Sequence, residues 1–222
     1  MFGASIGRGA MRIINAMVRG LASSGVHPNI LTAIGVLINV GCGVLFGMGH
    51  FFWAGIVLIV ANLFDMLDGN VARLTGRVTK FGSFLDSTLD RLSDMVAILG
   101  IMIFYAGNSV FIVDGAMVET HSVLNVVLAG IGLIGSVMIS YSTARSESLG
   151  VKANVGFFQR PERVVILIIG ALSTDWTSSA WYANRMPQVL WMLAILSIWT
   201  FVQRMFHIWN EMEKADRGAT SL

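Results

Sequence analysis

The sequence predicts an all-α membrane protein: six transmembrane helices preceded by an amphipathic helix lying on the membrane surface. Three observations carry that prediction. Apolar residues make up 55% of the 222 and charged residues only 13%, against about a quarter charged in a soluble domain, and mean hydropathy is +0.72. The apolar residues are gathered into blocks near 30–49, 51–64, 84–106, 123–141, 164–173 and 187–209, most of them approaching the ~20 residues a helix needs to cross hydrocarbon. The basic residues, finally, alternate between rich and poor loops.

In chain order, residues 1–25 come first. Met11, Ile14, Val18 and Leu21 share a helical face while Arg8, Arg12 and Arg19 lie elsewhere, the pattern of a surface helix; a basic topogenic tail without stable structure is the other reading. These residues alternate apolar and basic character rather than forming an apolar core, so they are not a cleavable signal. Pro28 and Asn29 end this helix and open the first span. Pro161 and Pro187 stand similarly before the fifth and sixth spans, and the short 164–173 block is expected to continue through Thr174 to Trp181. Glycines within spans, among them Gly35, Gly41, Gly43, Gly130, Gly132 and Gly135, would let helices approach closely. No linker, repeat or low-complexity run divides the chain. One membrane domain over 1–222 is expected, with a surface helix at 1–25, a six-helix bundle at 26–210 and a cytoplasmic tail at 211–222.

Orientation follows from charge. Arg8, Arg12, Arg19, Arg73, Arg77, Lys80, Arg145, Lys152, Arg160, Arg163, Lys214 and Arg217 fall on one side, and Arg185 alone on the other. Positive charge accumulates on the cytoplasmic side, which places both termini there in a multi-pass protein of the inner or cell membrane. The lone Cys42 excludes an intrachain disulfide and a cysteine metal site. His27, His50, His121 and His207 show no ligand spacing, and Trp53, Trp176, Trp181 and Trp209 sit near span ends as interfacial residues do.

The chemistry is concentrated between Asp65 and Asp90. Asp65 and Asp68, then Asp86 and Asp90, are spaced by three and four residues, so each pair shares a helix face and two helices can present four carboxylates to one point. Acids at membrane depth are costly and functional by default, and divalent hard cations take oxygen ligands. Asp65 lies about 14 residues into its span, roughly 21 Å from the outer start, so the acids cluster near the cytoplasmic surface. Gly69 and Ala72 share their side and leave room for a ligand; Arg73 supplies a fork suited to phosphate. Of nearby cations, only Arg73, Arg77, Lys80 and Arg91 are close in sequence, which leaves surplus negative charge. Asp94 could extend the metal face, pair with Arg91 or make a polar helix contact.

The pattern D-x2-D-G-x2-A-R-x8-G-x3-D-x3-D, running from Asp65 to Asp90, resembles that of the CDP-alcohol phosphatidyltransferases, membrane enzymes of six transmembrane helices that usually form homodimers. Further matches at His27–Thr32, at Ile139-Ser140-Tyr141 through Ala144-Arg145, at Gln159–Arg163 and at Gln203-Arg204 extend the resemblance over most of residues 27–210 and look most like the inositol-phosphate-using bacterial branch. The resemblance implies that Asp65, Asp68, Asp86 and Asp90 hold two Mg2+ ions (Mn2+ being the alternative) and that Asp90 is also the general base. Asn29, Ile30, Leu31, Thr32, Gly69, Arg73 and Thr79 would contact CDP-diacylglycerol. Arg145, Arg163 and Arg204 would bind the acceptor's phosphate. One departure stands out: a Lys is usual two residues before Arg145, and this chain has Thr143. Arg145 or Arg160 could substitute for it, or the acceptor differs. The alternative for Arg145, Arg160 and Arg163 is topogenic charge, and for Arg204 snorkelling to the interface.

The expected activity is therefore transfer of a phosphatidyl group from CDP-diacylglycerol to a polar alcohol, inositol 1-phosphate first, with glycerol 3-phosphate or free inositol as alternatives. The expected partners are these substrates, the bilayer and a second copy of the chain, with no nucleic acid. A cation transporter is the competing class, but it would favour carboxylates near the midplane, broken helices or repeats. A purely structural membrane protein leaves the four acids without a reason.

Overall fold

The computed structural model describes residues 16–26, 28–107, 110–113, 116–152, 155–173 and 185–220. A short helix α1 (residues 16–23) is followed by α2 (Pro28–Gly47), α3 (Phe51–Leu74) and α4 (Lys80–Ala106). Strands β1 (Val110–Val113) and β2 (Ala116–Glu119) intervene before α5 (Val123–Ser148), α6 (Arg160–Leu172) and α7 (Met186–Thr220). Among the described residues, four helices are long and apolar enough to cross a membrane: Pro28–Gly47, Phe51–Leu74, Val123–Ser148 and Met186–Ala215. At 27 residues α4 has the length, but Asp86, Asp90, Arg91 and Asp94 load its first half with charge. The described part of α6 has 13 residues. The expected continuation of the fifth span to Trp181 lies outside the described residues, as do Arg8, Met11, Arg12, Ile14, His27 and Trp176.

The helices bear out the all-α expectation, and one short element adds to it. β1 and β2 form an antiparallel hairpin, with Val110 opposite Glu119 and Val113 opposite Ala116. The Val-Phe-Ile-Val run is rich in the β-branched and aromatic residues that suit strands. Residues 211–217 are mostly good helix formers without proline, and α7 runs on through residues 211–220 for a total of 35 residues.

Helix α2 packs along both α3 and α4, α5 along α7 and α4, and α6 bridges α3 and α7. Small residues set these approaches. At Gly43 an added Cβ would lie 2.7 Å from the Val96 carbonyl oxygen, and at Gly135 it would lie 2.6 Å from the Ser197 Cβ. Gly35 and Gly132 are similarly crowded, by Asp65 and Leu193, whereas Gly41 has nothing within 4 Å and Gly130 only an ordinary contact. Phe46, Phe51, Phe104 and Tyr105 close the end of the bundle where α2 turns into α3; the Phe51 and Phe104 rings meet edge to face at 4.8 Å. At the opposite end Val18 of α1 packs with Leu31, Leu67 and Val71, seating α1 on α2 and α3. This leaves the start of α2, the end of α3 and the starts of α4 and α6 together at one end.

Candidate active site

Helix periodicity brings the acids together. Asp65 and Asp68 lie one turn apart near the end of α3, and Asp86, Asp90 and Asp94 occupy successive turns of α4, which begins where Thr79 caps it by accepting from the Gly82 N–H (2.9 Å). Between the ends of α2, α3 and α4 lies a cleft of about 240 Å³. Asn29 and Thr32 line it from α2, Asp68, Gly69 and Arg73 from α3, and Thr79 and Asp86 from the start of α4. Ala72, also on the α3 face, and the loop residue Arg77, which donates to the Gly25 carbonyl (3.4 Å), complete a small, partly cationic rim. Ile30 and Leu31 do not line the cleft. A helix turns each successive residue by about 100°, so Ile30 is 54% exposed on the outer face while Leu31, 3% exposed, belongs to the core with Val18.

The other acids face a different partner. Arg160, at the start of α6, places Nη2 3.1 Å from Asp65 Oδ2, Nη1 2.9 Å from Asp90 Oδ2 and Nε 3.4 Å from Asp94 Oδ1. Arg163, one turn on, reaches Asp94 Oδ2 at 3.5 Å. This corrects two expectations. The cation that pairs with Asp65 and Asp90 comes from far along the chain rather than from Arg73, Arg77, Lys80 or Arg91, and Asp94 pairs with Arg160 and Arg163 rather than Arg91. The local sequence could not show this because Arg160 is 95 residues from Asp65; its only signal was its place in the helix-opening Gln-Arg-Pro-Glu-Arg run.

Of the five carboxylates, Asp65, Asp90 and Asp94 share two arginines, while the Asp68 Oδ2 is buried with no hydrogen-bond partner. A buried carboxylate oxygen left bare is costly. Hard oxygen donors in excess suit a divalent ion such as Mg2+ or Mn2+, so the residues present fit one in charge and donor type. As the side chains stand, no group of three or more acidic, His or Cys residues among those described converges closely enough to enclose an ion, and Asp65 and Asp90 are engaged with Arg160.

The residues expected to bind the acceptor are separated. Arg145 is exposed at the end of α5. Arg204 is buried, at 4% exposed, and so does not snorkel to an interface. Its Nε and Nη2 donate to the Val155 carbonyl (3.0 and 2.8 Å), and Nη1 donates to the Ile139 carbonyl (3.0 Å) and to Thr143 Oγ1. Arg163 is equally buried, and its Nη1 has no hydrogen-bond partner.

The sequence that builds this cleft matches the family model for CDP-alcohol phosphatidyltransferase over residues 25–213. The chain belongs to the CDP-alcohol phosphatidyltransferase family. Within it, the chain is 36% identical to the phosphatidylinositol phosphate synthase of Mycobacterium marinum over 212 residues, covering 95% of this chain and 83% of the relative. It is 37% identical to the archaetidylinositol phosphate synthase of Pyrococcus horikoshii over 194 residues, 87% of this chain and 89% of that one. The fold agrees as well. The crystal structure of the Mycobacterium tuberculosis phosphatidylinositol phosphate synthase with CDP-DAG bound superposes with a TM-score of 0.78 at 35% identity, covering 89% of this chain and 94% of that one. The same enzyme in complex with manganese and citrate gives a TM-score of 0.77 at 34% identity, covering 88% of each chain.

Proposed function

We propose that this phosphatidyltransferase moves the phosphatidyl group of CDP-diacylglycerol onto a hydroxyl of inositol 1-phosphate, releasing CMP. The observation that carries the reading is the cleft in which Asp68, Gly69, Arg73, Thr79 and Asp86 meet Asn29 and Thr32 at one end of the bundle. The relatives named phosphatidylinositol phosphate synthase and archaetidylinositol phosphate synthase support the acceptor, and the CDP-DAG-bound M. tuberculosis structure supports the donor.

Each residue has a task in this reading. Gly69 and Ala72 leave space for the cytidine diphosphate to lie on α3. Arg73 and Thr79 offer donors to its phosphate oxygens. Two divalent ions held by Asp65, Asp68, Asp86 and Asp90 would supply charge stabilisation to the pyrophosphate. Asp90 takes the proton of the attacking hydroxyl. The hydroxyl oxygen bonds to the phosphorus carrying diacylglycerol, and the bond from that phosphorus to the oxygen of CMP breaks, CMP keeping the electron pair. Arg163, buried with an unpartnered Nη1, is the best placed of the three arginines to receive the acceptor's phosphate.

Six spans complete the topology in this reading, with α4 and α6 joining the four long apolar helices, and residues 1–222 form one membrane domain whose N-terminal segment, 1–25, lies on the membrane surface. The basic loops support a cytoplasmic active end and cytoplasmic termini in the inner or cell membrane, and the enzyme works as a homodimer. The deciding experiment supplies the purified protein with CDP-diacylglycerol, Mg2+ and, in parallel, inositol 1-phosphate, glycerol 3-phosphate or free inositol. CMP release with inositol 1-phosphate at well above the other rates is expected. Preference for another acceptor overturns the substrate, and no CMP with any acceptor overturns the reaction.

A further inference from the structure

Arg160 is the side chain, among the described residues, that touches three carboxylates. Its backbone position is well secured: the Gln159 N–H donates to Glu162 Oε2 (3.0 Å), the Gln159 side-chain amide donates to the Gly156 carbonyl (3.2 Å), and Pro161 stands in the first turn. The guanidinium reaches from that fixed helix start across to α3 and α4. It does not form a bidentate fork on one carboxylate, the usual preference. It spreads its three nitrogens over Asp65, Asp90 and Asp94. Two of these are proposed metal ligands, and the third is not.

We infer that Arg160 is an internal counter-cation that competes with divalent metal for Asp65 and Asp90, remaining tethered to Asp94 when it yields them. Like charges in a partly buried site repel strongly, so a divalent ion and the guanidinium cannot both draw fully on the same two carboxylates. Asp94 is the natural tether because Arg163 holds its other oxygen at 3.5 Å, fixing it beside Arg160 whatever happens to the first two acids. The same exchange releases Asp90 Oδ2, now engaged at 2.9 Å, to act on a proton. Metal loading and assembly of the base would then be a single event.

The inference rests on the metal reading above, and the test separates the two. Mn2+ is titrated into the purified full-length protein in detergent, without substrate, and free Mn2+ is followed by electron paramagnetic resonance. Arg160→Gln should bind Mn2+ about tenfold more tightly than wild type, a change worth ~1.4 kcal/mol. Its melting temperature should fall in EDTA and recover most of that loss in saturating Mn2+. Should Arg160→Gln not fold, Arg160→Lys, whose single ammonium cannot span three carboxylates, should bind several-fold more tightly. Unchanged or weaker Mn2+ affinity in the folded variant overturns the inference and leaves the metal site standing. Absence of Mn2+ binding to both wild type and Arg160→Gln overturns both.

Discussion

Arg204 on α7 donates through Nη1 to the hydroxyl of Thr143 on α5, 61 residues away, and to the carbonyl of Ile139 one turn earlier. Thr143 in turn donates to that same Ile139 carbonyl (3.0 Å). A position where the sequence resemblance leads one to expect a lysine is here a hydroxyl that holds a buried arginine in place. Thr143→Val keeps the shape and removes the acceptor. A buried charge that loses one partner costs about 2 kcal/mol, which for a chain of this size corresponds to a fall of roughly 4–8 °C in melting temperature. A thermal melt in detergent reads this directly; an unchanged melt would show that the contact contributes nothing.

Asp90→Asn is isosteric and retains a ring of polar atoms beside Arg160 but cannot accept a proton. General-base catalysis is typically worth 10²–10⁴-fold, so CMP release should drop by about that factor while CDP-diacylglycerol still binds. Turnover within a few-fold of wild type would remove Asp90 from the role of base.

Gly69 faces the cleft, and a Cβ there would make only an ordinary contact, 3.5 Å from Arg73 Nη2. Gly69→Leu should therefore fold normally, since Leu is the better helix former, yet fill the space proposed for the nucleotide. The expected result is a rise of at least about tenfold in KM for CDP-diacylglycerol at an unchanged melting temperature. An unaltered KM would move the donor elsewhere.

Gly43 and Gly41 make a matched pair on α2. A side chain at Gly43 would collide with the Val96 carbonyl at 2.7 Å, whereas Gly41 has nothing within 4 Å. Gly43→Val should cost about 3 kcal/mol or more by forcing α2 from α4; Gly41→Val should stay within ~0.5 kcal/mol. Comparing the two melts, or their monodispersity on size exclusion, tests whether that crossing depends on backbone approach.

Much of the site could be read locally because helical spacing is a local property. Asp65, Asp68, Gly69 and Arg73 had to share a side of α3, and Pro28, Pro161 and Pro187 stand in the first turns of α2, α6 and α7. Where a run of residues was read as a unit, the same geometry divided it. Asn29 and Thr32, three apart, reach the cleft, while Ile30 and Leu31 point to other faces. The hairpin went unread because its eight strand residues are too short an interruption to stand out between apolar blocks.

Composition and spacing alone determined that this chain is built of apolar helices carrying a concentrated set of acids and an arginine at one end, since hydropathy and 3.6-residue periodicity are written in consecutive residues. Only the tertiary structure decided which cations answer those acids. The packing of α6 against α3 delivers Arg160 to Asp65 from 95 residues away, and the α5–α7 seam buries Arg204 against Thr143. Charge pairing acts through space, over a few ångströms, and falls to whichever side chain the packed helices bring within reach.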